Sequence, residues 1–160
     1  MNTANFLPGS RLQNRPTKGF TLVELLIVMT ILSILLAVGV PSFQSFILGQ
    51  RVKTAAYDVH AALTFARSEA IKRNANVVIT PAGTGWKDGW TITTAAGATI
   101  GTQAAYTNLT FSGPNAITYG NDGRLTTAIT PIEISTSPAS RCATITVNIS
   151  GLPNNKVVFC

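Results

Sequence analysis

Between Glu24 and Arg51 the chain carries no charged side chain. Residues 25–40 are almost wholly Leu, Ile, Val, Met and Ala, and residues 20–23 extend the pattern upstream. About twenty apolar-rich positions, taken as helix at about 1.5 Å per residue, cross a bilayer core of about 30 Å. Arg11, Arg15 and Lys18 precede the run, and basic residues on that side hold the N-terminus in the cytoplasm. One acid, Glu24, sits near its start. A carboxylate in a membrane helix costs about 2.5–3.5 kcal/mol on insertion scales, so it persists only with a partner or a purpose.

An ordinary secretory signal has a shorter apolar core and a small-x-small cleavage site after it. Here Pro41-Ser42-Phe43 follows and leads into more helix. An uncleaved signal anchor is the plain alternative. The formal charge of +6 is partly a property of the first nineteen residues, which makes it weak support for a nucleic-acid partner.

Gly39 and Pro41 stand near the end of the apolar run, where proline removes a helix hydrogen bond; a kink or local melting is expected there. Beyond it, Val52, Ala55, Ala56, Val59, Ala62, Leu63, Ala66, Ala70 and Ile71 recur at steps of three and four, an amphipathic stripe that needs a partner surface. Glu69 and Arg73 are four apart in the favourable acid-first order. His60, the one histidine, has no evident catalytic or metal-binding partner.

After Asn74 the periodicity changes. Strands are expected at residues 76–80, 91–94, 109–111, 117–119, 131–135, 143–149 and 156–159, separated by Gly, Pro, Asn and Asp. The alternation of Ile145, Val147 and Ile149 points to one buried face. The fold class is therefore α+β: a long N-terminal helix, partly transmembrane, packed against an antiparallel sheet head.

Gly19-Phe20-Thr21-Leu22-Val23-Glu24-Leu25 resembles the class III signal of type IV pilins and pseudopilins. It joins a basic leader, a Gly-Phe junction, an acid five residues on and an apolar helix. The resemblance implies that a membrane-embedded prepilin peptidase cuts between Gly19 and Phe20 and N-methylates Phe20. It implies that Glu24 pairs with the N-terminal amine of a neighbouring subunit during assembly. Further along, Ala66-Arg67-Ser68-Glu69-Ala70-Ile71-Lys72-Arg73, Trp86-Lys87-Asp88-Gly89-Trp90 and Tyr119-Gly120-Asn121-Asp122-Gly123-Arg124 are similar to the GspH/FimT branch of minor pilins and pseudopilins. The implied organisation is a leader over residues 1–19, a transmembrane and assembly helix over 20–42, an amphipathic helix over 43–75 and a β-rich periplasmic or extracellular head over 76–160.

In such an exported head, Cys142 and Cys160 are expected as a disulfide, worth roughly 3 kcal/mol in the chain-entropy model, with two free thiols as the alternative. No catalytic constellation, cofactor box or metal-ligand cluster stands out, so an enzyme is not expected. The resemblance implies a minor pilin of a type IV pilus, held in the inner membrane as a single-pass protein before assembly with other minor and major pilins. The alternative in the same class is the H-type pseudopilin of type II secretion, assembling with pseudopilins. A third reading is DNA binding for natural transformation, which some family members perform through a basic Gly-Arg-x-Arg. The matching place here, residues 151–156, lacks both arginines. Arg141, Lys156, Lys87 and Arg124 remain as weak phosphate contacts, and DNA is not the favoured partner.

Overall fold

The computed structural model describes residues 19–136 and 141–158. The chain divides into two compact units, Met1–Gly39 and Val40–Cys160. One helix, α1 (Leu22–Arg73), contributes to both. In the first unit every described residue is exposed.

Both ends of α1 follow from local sequence. At the start, Thr21 is the N-cap: its Oγ1 accepts the backbone N–H of Glu24 at 3.2 Å, satisfying a donor that has no partner inside the helix. At the end, Asn74 adopts φ 50°, its N–H bonds the carbonyl of Ile71, and the N–H of Ala75 bonds that of Ala70. These two bonds with a left-handed residue between them form a Schellman ending, with Asn in the place glycine usually takes. Residues on both sides of Pro41 are helical, so the local melting expected there is absent. A proline removes one backbone hydrogen bond, which can bend a helix without ending it.

In the second unit α1 is followed by β1 (Val77–Pro81), a 3₁₀ turn (Trp86–Asp88), β2 (Trp90–Thr94), β3 (Thr99–Gln103), β4 (Leu109–Ser112), β5 (Ile117–Tyr119), β6 (Ile132–Thr136), β7 (Cys142–Val147) and β8 (Pro153–Val158). The strands form two antiparallel four-stranded sheets, ordered β3-β2-β1-β5 and β4-β6-β7-β8. Two sheets replace the one that the sequence suggests. The chain alternates between them: β4 joins β6 in one, and β5 between them returns to β1 in the other.

The core lies between α1 and the sheets. Val52, Ala55, Ala56, Val59, Leu63, Ala66 and Ala70 are buried along one helix face. The alanines let strands approach the helix axis closely. They meet Val77, Ile79, Ile117 and Tyr119 from one sheet and Ile132, Ile134, Ala143 and Ile145 from the other, all in a single cluster. Two expected members differ. Ala62 is half-buried and Ile71 is exposed at the helix end. Ile149 is also exposed, because β7 stops at Val147 and a turn follows. Asn148 Oδ1 accepts the N–H of Leu152 and the Asn148 carbonyl accepts that of Gly151, reversing the chain into β8. Pro153 opens β8, the first position of an edge strand, where a missing N–H is harmless.

Candidate functional site

At Gly19 and Phe20, the expected processing junction, the chain is exposed. Gly19 has no atom within 4 Å of where a Cβ would stand, and Phe20 is 75% exposed. Glu24 sits in the first turn of α1, where a negative charge complements the helix dipole. From Leu22 to Ile47 the large apolar side chains of α1 are exposed. Covering a Leu or Ile side chain gains about 1.5–3 kcal/mol, so covering this stretch gains on the order of tens of kcal/mol. Among the described residues α1 alone is long and apolar enough to cross a membrane. Chemically, this stretch is built for burial in lipid or among other helices.

The head motifs turn out to be structural. Trp86 and Trp90 are buried, their ring centroids 5.6 Å apart, and Trp90 stacks on Tyr106 at 6.0 Å. Trp86 Nε1 donates to the Pro114 carbonyl at 2.8 Å. Asp88 Oδ2 accepts both the Oγ1 hydroxyl and the backbone N–H of Thr84, each at 2.7 Å, and these bonds hold its carboxyl down at about 2. Tyr106 is clamped to the helix, its hydroxyl donating to Asp58 Oδ2 at 2.9 Å. Burial first, and Asp58 second, raise its pKa above the ordinary tyrosine value.

A second network closes the other end of the head. Gly120–Arg124 is a tight turn in which Asp122 Oδ1 accepts the N–H of Arg124 and the Arg124 carbonyl accepts that of Gly120. Arg67, on α1, donates from Nε to the Gly123 carbonyl at 2.9 Å. The turn approaches so closely that a Cβ on Gly123, at φ +74°, would stand 2.5 Å from Ile71 Cδ1. Gly151, at φ +83°, packs its backbone on the Gly123 carbonyl, and its own carbonyl accepts the Tyr119 hydroxyl at 3.3 Å. Burial raises Tyr119 to about 12. Asn121 Nδ2 reaches Asn74 Oδ1 at 3.1 Å, tying the turn to the helix end. Glu69, buried beside this network, pairs with Arg73 at 2.6 Å and Lys72 at 3.4 Å. Those bonds lower its pKa, the Arg73 bond most.

His60 is half-buried, and its Nδ1 lies 3.1 Å from Asn155 Oδ1; Asn155 Nδ2 donates to the Ala56 carbonyl. It anchors β8 to α1. Among the described residues no three His, Cys, Asp or Glu side chains gather as metal ligands.

The four basic residues proposed for phosphate contact do not converge as one patch. Arg141 lies along α1 at Gly49, its Cγ and Nε 3.6 Å from where a Cβ would be. Lys156 is on β8 opposite Thr144. Lys87 pairs with Asp88 at 3.2 Å in the 3₁₀ turn. Arg124 belongs to the turn packed on Ile71, about 33 Å along the helix from Gly49 at 1.5 Å per residue. Cys142 begins β7 and is not a free thiol; its expected partner Cys160 lies outside the described residues.

Thr21, Asp58, Tyr106 and Asn155 carry roles that the sequence reading passed over. For Thr21 a signal was present: Thr21-Leu22-Val23-Glu24 has the spacing of a capping box ahead of an apolar run. The other contacts join residues far apart in the chain, and no local pattern marks them.

Residues 55–151 match the family profile described as type II transport protein GspH, and residues 14–40 match the prokaryotic N-terminal methylation motif. Two curated fimbrial proteins of Pseudomonas aeruginosa are each 39% identical over 79 residues, 48% of this chain and 51% of theirs. The chain thus spans about half the length of the curated relatives it matches. Two crystal structures of the Pseudomonas aeruginosa type IV minor pilin FimU share the fold. One has TM-score 0.55 and 22% identity, covering 65% of this chain and 91% of that one. The other has TM-score 0.57 and 21% identity, covering 67% and 89%.

Proposed function

The chain belongs to the GspH family and carries an N-terminal methylation motif, and from that premise we propose that it is a minor pilin, a structural subunit in the tip or initiating complex of a type IV pilus. The observation that carries the reading is the exposed, charge-free helix headed by Gly19-Phe20 and Glu24. A prepilin peptidase removes residues 1–19 and methylates the Phe20 amine. Until assembly the helix spans the inner membrane once, with the N-terminus cytoplasmic and the head periplasmic. In the filament the same apolar surface packs against other pilins, and Glu24 sets register against a neighbour's amine, which supplies the countercharge that a carboxylate in apolar surroundings requires. A bend at Gly39 and Pro41 fits the helix to its neighbours, and a Cys142–Cys160 bridge pins the C-terminus.

The likeness of the fold to a type IV minor pilin and the fimbrial relatives favour the pilus. A second reading, the H-type pseudopilin of type II secretion, draws on the description of the family profile. A deletion strain separates them: loss of surface pili and twitching with secretion intact supports the pilus, while loss of exoprotein secretion with pili intact refutes it.

A further inference from the structure

The proposed assembly role makes no use of the cations at the base of the head. The first charges after Glu24 are Arg51 and Lys53. As helix, the charge-free residues 25–50 extend about 39 Å, close to the roughly 40–45 Å of a bilayer with its headgroups. Arg51 and Lys53 flank the buried Val52 and project from opposite flanks of α1, since positions two apart differ by about 200°. Both are exposed. On the Lys53 flank, Arg141 lies along Gly49, and a hollow of about 250 Å³ opens among Phe46, Gln50, Lys53 and Arg141. On the Arg51 flank, Phe46, Ile47, Tyr106 and Leu109 line an apolar groove of about 480 Å³. The cations therefore rim an apolar belt that includes Phe43 and Phe46.

Among the described residues no carboxylate is paired with Arg51 or Lys53. Glu69 pairs with Lys72 and Arg73, and Asp88 pairs with Lys87. Asp58, the next acid along α1, accepts the Tyr106 hydroxyl. Lys53 Nζ lies 5.9 Å from the Tyr57 ring centroid, a contact that leaves its charge in place.

We propose that Arg51 and Lys53 bind the phosphates of anionic phospholipids in the leaflet facing the head. The site rests on the membrane-inserted stage of the proposed function. Phe43 and Phe46 sit at the acyl boundary, and the long basic side chains reach the headgroup layer above it. The contact fixes the height of the head on the membrane until the subunit is extracted. A nucleic-acid backbone offers the same phosphate chemistry, but a duplex at this rim would also cover Phe46 and Ile47 at a cost in lost lipid or helix contact.

The test places the full chain in vesicles of phosphatidylcholine, with or without phosphatidylglycerol, and reads the lipid retained around the protein. Phosphatidylglycerol should be enriched over phosphatidylcholine by about fivefold per cation at low salt. The preference should fall away at about 1 M salt, where the Debye length is about 3 Å. R51Q/K53Q should lose the preference, while Arg124→Gln, a charge removed at the far end of the head, should keep it. Equal preference in R51Q/K53Q and the parent, or equal loss in Arg124→Gln, overturns the site. Loss of duplex-DNA binding in R51Q/K53Q with the lipid preference intact assigns the cations to nucleic acid and also overturns it. Failure of the chain to float with either vesicle refutes the membrane span itself; flotation without a preference refutes the lipid site alone.

Discussion

Thr21 Oγ1 accepts the backbone N–H of Glu24 at 3.2 Å, so the acid that heads the apolar run is also the third residue of a capped helix. The cap fixes the Glu24 backbone close to Phe20, whose amine the proposed processing would expose. Thr21→Ala should fray the first turn at a cost of about 1 kcal/mol, and Thr21→Ser should preserve it. Amide exchange at Glu24 and Leu25 in detergent micelles checks this: faster exchange in the alanine variant alone is expected.

Glu24→Ala should leave cleavage after Gly19 unchanged and reduce incorporation into filaments. Immunoblots of whole cells and of sheared filaments separate the two steps. Normal incorporation would refute the pairing of Glu24 with a neighbour's amine.

Gly151 is required by both its conformation and its surroundings. Its φ is +83°, and a Cβ would run into the Gly123 carbonyl. Gly151→Ala should cost about 2 kcal/mol or more, lowering the head's Tm by roughly 10 °C. Thermal unfolding followed by circular dichroism gives the shift, and an unchanged Tm would contradict the packing of the two turns.

Ile145 and Ile149 look alike in the sequence and differ in the fold, the first fully buried and the second 51% exposed. Ile145→Ala should cost about 2–5 kcal/mol and Ile149→Ala within about 0.5 kcal/mol. Chemical denaturation of the two variants in parallel would detect the asymmetry.

This pair also shows where the sequence stops being informative. The stripe from Val52 to Ala70 could be read because helix burial follows a local period. The end of β7 depends on the Asn148–Gly151 turn, and alternation alone runs past it. β3 carries no apolar alternation because it is an edge strand with no fully buried residue, Ile100, Gly101 and Gln103 being half-buried. The division into two sheets depends on long-range pairings such as Val77 with Tyr119, which local patterns do not encode. Gly19, Phe20 and Glu24 can be proposed from sequence alone because their chemistry lies in one contiguous stretch. The tie from Arg67 to Gly123 joins residues far apart in the chain, and only the folded chain reveals it.

Asp88 gives the head an acid-sensitive component. Its folded pKa is about 2 against an ordinary 3.8, so the unfolded chain binds the proton more readily. The stabilisation is complete above about pH 4 and is lost as pH falls towards about 2. Glu69 contributes with the same sign. Asp88→Asn should flatten the dependence of the urea midpoint on pH in that window, and an unaltered slope would contradict the role of the Thr84 bonds.

The mass of the mature chain recovered from sheared surface filaments tests the central claim most directly. The expected result is a polypeptide that begins at Phe20, carries one methyl group on its amine and is present in the filament fraction. A chain that keeps residues 1–19, or one that is processed and absent from filaments while secretion depends on it, would contradict the assignment to a pilus.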